Sequence, residues 1–330
     1  MLHPAAKALA LHALLLVTAR VLPAQQPPVA GTEAATPIQE VVIEGRHEGP
    51  RLWVVRKGDH TLWVLGTISP LPRKMVWQPD AVQEALRHTQ EVVPAWPSYG
   101  IGANPITALR VYIEWRRLQK PPDHMPLREA LPPELYARVE ALRVRYVPRD
   151  TKLEEMRPML AARELLTRVL DAAGLAVHNE VQQEVLRLAK SQGVRIHQDK
   201  LHIDDPVDVL KDVSATPLAG EVACLDSVVT LLETDLAPMQ ERARAWALGD
   251  VDTLRRLPYT GDRMACITAV STSERVRKLI ARAEDDWLIA VEDSLARNRG
   301  TLAVQSMDRL LGDKGALAVL KSRGYSVEGP

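Results

Sequence analysis

The sequence predicts an α/β (α+β) fold: a central mixed sheet built from the N- and C-terminal strands, with a large helical region, about residues 80–299, inserted between them and packed on it. Three observations carry this. Short apolar runs rich in valine, isoleucine and tryptophan (Val41-Val42-Ile43, Leu52-Trp53-Val54-Val55, Leu62-Trp63-Val64-Leu65) crowd the N-terminal part. A period of three to four residues then governs the middle. Near the C-terminus, Thr301-Leu302-Ala303-Val304, a helical Asp313 to Lys321 and Tyr325-Ser326-Val327 read as strand, helix, strand, a terminal βαβ unit.

Taken in order, strands are expected over Glu40–Glu44, Arg51–Arg56 and Thr61–Leu65, the last two joined by the hairpin turn Lys57-Gly58-Asp59-His60. Trp53 and Trp63 are then expected to pack across that hairpin, the simpler alternative to a tryptophan-lined glycan groove shared with Trp77, Trp96 and Trp115. Val82, Leu86 and Val93 mark a helix capped by Asp80. Ile106, Leu109, Ile113 and Leu118 make residues 105–120 an amphipathic helix that Pro121-Pro122 ends. Helices follow over 133–146, 152–173 with a break at Pro158, and 179–192, with Gly174 and Gly193 as stops. Gly193–His197 is a short strand, and two long helical stretches span 217–248, interrupted by Pro238, and 273–298.

The N-terminus reads as a secretory signal peptide. Lys7 gives the positive region, Ala8 to Val17 the apolar one, and Leu22-Pro23-Ala24 a cleavage site before Gln25; a retained hydrophobic helix is the alternative. Residues 25–39 form a proline- and alanine-rich leader, and 40–330 a single domain. No later stretch reaches the roughly 18 apolar residues that span a bilayer. The expected location is periplasmic or secreted. In an oxidising compartment, Cys224 and Cys266 point to a structural disulfide, with buried free thiols as the alternative. With 42 basic and 42 acidic residues the formal charge is zero, which gives no reason to expect a nucleic-acid partner.

Two motifs carry a resemblance. The strand Leu62-Trp63-Val64-Leu65-Gly66-Thr67-Ile68-Ser69 is similar to the one that opens the TraB/GumN family, where the pattern ends Gly-Thr/Ser-x-His; here Ser69 stands at the histidine position. The C-terminal Arg323-Gly324-Tyr325-Ser326-Val327-Glu328 resembles the family's tail, and the second histidine position holds Asp308 or Arg309, depending on alignment. The resemblance spans about residues 50–330, but only its ends are specific. The family is similar to the Tiki-type metal-dependent peptidases, and so implies paired Gly-x-x-His elements and strand-end carboxylates around a divalent metal. A third such position, after the first helix, reads Pro94-Ala95 where a carboxylate is implied.

A hydrolytic metal needs about three protein ligands and an open position for water. A serine hydroxyl is a poor ligand, and one carboxylate is not a site. The resemblance therefore implies a relic cleft around Gly66, Thr67, Ser69, Asp199 and Asp308, with no cofactor. The nearest metal-like cluster, His197-Gln198-Asp199-Lys200-Leu201-His202-Ile203-Asp204-Asp205, would place His197 beside Asp199 and His202 beside Asp204. Its plainer reading is a polar loop whose Asp204 or Asp205 caps a helix from Pro206. Ser69 as a nucleophile lacks the Gly-x-Ser-x-Gly elbow.

The expected function is an exported, non-catalytic or repurposed protein that binds a peptide or glycan in the relic cleft. One alternative is a metal-dependent hydrolase with ligands relocated to His60, Asp199, His202 and Asp308. Another is a structural partner in envelope polysaccharide export, which rests on the family name alone.

Overall fold

The computed structural model describes residues 49–329 apart from residues 74, 96–97, 102–103, 122–124, 150–151, 177–179, 199, 258–261 and 313. The signal peptide, the leader and the strand expected over Glu40–Glu44 lie outside the described residues.

The chain opens with β1 (Leu52–Lys57) and β2 (His60–Thr67), then a short β3 (Leu71–Pro72). After α1 (Asp80–Arg87) come β4 (Glu91–Val93), β5 (Ser98–Ile101) and α2 (Pro105–Leu118). The middle continues with α3 (Leu127–Ala130), α4 (Pro133–Tyr146), α5 (Pro158–Ala172), β6 (Leu175–Ala176) and α6 (Glu180–Ser191). Next are β7 (Arg195–Ile196), β8 (Lys200–Ile203), α7 (Pro206–Ser214), α8 (Leu218–Thr234) and α9 (Leu236–Leu248). Then follow α10 (Val251–Arg256), α11 (Asp262–Val270), α12 (Glu274–Arg297), β9 (Gly300–Ser306), α13 (Met307–Leu310), α14 (Ala316–Ser322) and β10 (Ser326–Glu328).

The fold is α/β, with a mixed six-stranded sheet in the order β10-β1-β2-β9-β4-β7. β1 and β2 form the hairpin, turning at Gly58, whose φ of +62° is open to glycine at no steric cost. β9 lies parallel between β2 and β4, and Leu302, Ala303 and Val304 are fully buried, as a central parallel strand covered on both faces requires. β10 is antiparallel to β1 and therefore runs with β9. The terminal strand–helix–strand unit is thus parallel, but the N-terminal hairpin sits between its strands.

The sheet also takes β4 and β7 from within the helical region, so the two chain ends do not build it alone. Val93 belongs to β4, a run of three buried residues, and not to the helix over which it was expected. Pro79 occupies the cap position of α1, with Asp80 as the first helical residue. Two small parallel and antiparallel ribbons, β5 with β8 and β3 with β6, complete the strands.

Trp53 and Trp63 do not pack on each other. Trp53 is opposite Val64, and Trp63 is opposite Val54, so the two indoles face opposite sides of the sheet. Trp53 is buried on one side, while Trp63 approaches His88 on the other, with ring centroids 6.3 Å apart.

The helices build a second core, in which Leu127, Leu135, Leu165, Leu225 and Leu232 come from α3, α4, α5 and α8. Pro158 occupies the first turn of α5 and separates it from a 3-10 turn at Lys152–Glu155. The expected 217–248 helix breaks at Asp235 instead of Pro238. Pro238 falls in the first turn of α9, where its fixed φ suits the helix and its missing N–H is one the helix leaves unbonded anyway. Cys224 and Cys266 form a disulfide between α8 and α11. Among the described residues, no single helix is long and apolar enough to cross a membrane.

Candidate functional site

Four strands run parallel, β2, β9, β4 and β7, so their C-terminal ends share one edge of the sheet. In open α/β sheets that edge is where ligands bind. Here it carries Thr67 at the end of β2 and Ser69 after it, Asp308 after β9, Pro94 and Ala95 after β4, and His197 after β7. The fold therefore brings the sequence-predicted Gly66, Thr67, Ser69 and Asp308 to one edge. Asp199 lies outside the described residues, and the side chain of His202 on β8 is likewise not described.

Gly66 is required by close approach. A Cβ there would sit 2.2 Å from Met307 Sδ and 2.8 Å from the Trp53 ring. Its carbonyl accepts a 2.7 Å hydrogen bond from the Trp246 indole of α9. Trp287 of α12 donates likewise to the Val304 carbonyl at 3.0 Å. These two indoles tie both long helices to the ends of the central strands. Thr67 is buried, and its hydroxyl donates to the Gln305 carbonyl at 3.4 Å. Ser69 is half-buried beyond the strand, and Asp308 is exposed on α13.

Where the resemblance implies a carboxylate, Ala95 is buried, and its backbone N–H donates to Gln182 Oε1 of α6 at 2.8 Å. His197 turns back toward β4, with Nδ1 3.1 Å from Glu91 Oε1. Glu91 also accepts from Asn298 Nδ2 at 2.8 Å, and Arg297 and Arg195 approach within 3.5 Å and 3.8 Å. Burial opposes ionisation of Glu91, but the hydrogen bonds from Asn298 and His197 outweigh it and hold the carboxyl below its ordinary range. This network joins residues more than a hundred positions apart in the chain, and no local pattern announces it.

Of the expected relocated ligands, His60 and Asp308 do not converge. His60 opens β2, bonded through Nδ1 to the Asn298 carbonyl at 2.8 Å, whereas Asp308 lies past the far end of the neighbouring strand. An eight-residue strand separates these levels by roughly 23 Å, beyond the reach of one ion. Asp205 takes the cap position of α7 without a side-chain capping bond.

Beside the strand ends, an open groove of about 390 Å³ runs between residues 71–79 and the first turns of α6. Leu71, Met75, Val76, Trp77 and Val181 line it, with Glu180 and Glu184 as its carboxylates. Trp77 stacks at 60° against Trp246, 5.7 Å between centroids, which couples the groove to the end of β2. A hydrogen bond from Arg187 holds Glu184 below its ordinary range, so it is ionised at neutral pH.

The sequence model of the TraB/PrgY/gumN family matches residues 51–329, nearly the whole described chain. The chain belongs to that family. No curated protein and no solved structure matches it. Against the metal that the TraB/GumN resemblance implies, the residues do not fit. Ser69 offers a neutral hydroxyl, Asp308 is exposed, and Ala95 offers no side-chain donor. Among the described residues, no three His, Cys, Asp or Glu side chains are grouped to hold a metal ion.

Proposed function

We propose that this TraB/PrgY/gumN-family protein is an exported, non-catalytic binding protein that takes a peptide segment in the groove beside the strand ends. The observation that carries this reading is the groove's chemistry. Val76, which is 76% exposed, stands beside the partly buried Met75 and Trp77 over a floor of Leu71 and Val181, and Glu180 and the Arg187-paired Glu184 are its charged groups. An apolar side chain on Val76 and Met75 with a neighbouring lysine or arginine at Glu180 matches that lining. The strand-end positions supply no described ligand set to activate water, so binding is favoured over hydrolysis.

The test is fluorescence anisotropy with labelled unstructured peptides, basic-apolar against acidic-apolar, on the purified protein. The basic set should bind, and Glu180→Gln with Glu184→Gln should weaken it about tenfold, as loss of charge-assisted contacts predicts. Preference for glycans, equal binding of both peptide sets, or metal-dependent peptide cleavage would each overturn the reading.

A further inference from the structure

Helix α2 carries an exposed apolar face. Helix α2 turns Thr107, Val111, Glu114 and Leu118 inward, towards α7, and of these only Leu118 is fully buried. A second, apolar face points outward: Ile106 is 72% exposed, Leu109 58%, Tyr112 58% and Ile113 40%. At 100° per residue these four fall within a stripe roughly 120° wide. Arg116 continues the stripe, and Arg110 and Arg117 edge it. Over residues 105–120 the basic residues are Arg110, Arg116, Arg117 and Lys120, against the single acid Glu114, which is partly buried and paired with Arg117 at 2.9 Å.

We propose that α2 lies flat on an anionic phospholipid surface, its apolar stripe inserted at the headgroup boundary and its arginines on lipid phosphates. Three features on this helix favour that occupant. The stripe residues are 40–72% exposed and line no groove among the described residues, so a deformable plane fits them better than a complementary peptide. Tyrosine at the stripe's edge and arginines flanking it suit an interfacial helix, whose long cations extend to the headgroups while their stems cover apolar surface. Charge opposes the commonest alternative, because a two-fold pairing of α2 with α2 from a second copy would gather the cations of both helices in one interface, where the single acid of each, Glu114, is already paired with Arg117. The α2 face is separate from the groove, so the two proposals stand or fall independently.

The test is co-sedimentation of the full chain with phosphatidylcholine vesicles, with and without about one third phosphatidylglycerol. Binding should require the anionic lipid and weaken with salt. Leu109→Glu with Ile113→Glu should abolish it, and Arg110→Gln with Arg116→Gln should weaken it roughly tenfold or more, at about 1 kcal/mol per cation near an anionic surface. All four positions are exposed, so the variants should melt as the parent does, and since they share its N-terminus any difference belongs to α2. No vesicle binding, or binding that both variants retain, would overturn the proposal. So would a dimer that the Leu109→Glu, Ile113→Glu variant dissolves, which would assign the face to a second copy.

Discussion

Glu91 shows how one side chain can hold distant parts of the chain together. It sits buried on β4 and collects His197 from β7 and Asn298 from the end of α12. Its carboxyl is held below the ordinary value of 4.5, so its stabilising contribution is fully present above that value and is lost as pH falls through the lowered one. Glu91→Gln is therefore expected to cost about 1–3 kcal/mol at neutral pH, with the deficit shrinking under acid conditions. Urea melts of both proteins across that range measure it; a deficit independent of pH would show that the charge is not what the site uses. Gly300 makes a similar point about shape, since a Cβ there would sit 1.9 Å from the His88 carbonyl, a backbone atom with little room to give.

Among the elements, α5 and α8 form the centre of the helical core. Arg157 at the start of α5 donates to Glu221 of α8 at 3.0 Å, and both side chains are buried. Such a pair fixes the approach of two helices, because removing either partner would leave the other charge buried alone. The Cys224–Cys266 bridge adds a second constraint between α8 and α11. Its 42-residue separation predicts a loss of about 4 kcal/mol for Cys224→Ser with Cys266→Ser, read from urea midpoints. A loss below about 1 kcal/mol would mean that the unfolded chain is already restrained there. The break at Pro158 and the stops at Gly174 and Gly193, both with φ of +71°, were readable in the sequence, though Pro158 proves to open α5 and not to kink it. Elsewhere the break fell at Asp235, where Arg242 pairs with the buried carboxylate.

The whole molecule grades from a sheet core to an outlying helix. β2 and β9 are paired on both sides and buried, whereas α2 leans on α7 and buries Leu118 alone. Hydrogen exchange should therefore find the amides of β9 slowest, and those of α2 on the order of a hundredfold faster or more. Comparable protection of both would show that α2 is covered in solution. The groove and the α2 stripe thus sit on surfaces of different rigidity, one anchored by Trp77 and Trp246 and the other carried by a peripheral helix.

By itself the sequence determined the terminal hairpin, β9, β10 and most of the long helices, the family through its two terminal motifs, the cysteine pair, and the residue types at the strand ends. Each follows from local periodicity, a turn or a short motif. Tertiary structure alone decided that β4 and β7 enter the sheet, and that Glu91, His197 and Asn298 meet, since those contacts span a hundred residues or more. It also decided the faces of Trp53 and Trp63, which depend on a register that a one-residue shift inverts. The same holds for α2: its pattern announced an amphipathic helix, but only packing reveals that the residues turned inward are not Ile106, Leu109 and Ile113, which remain outside.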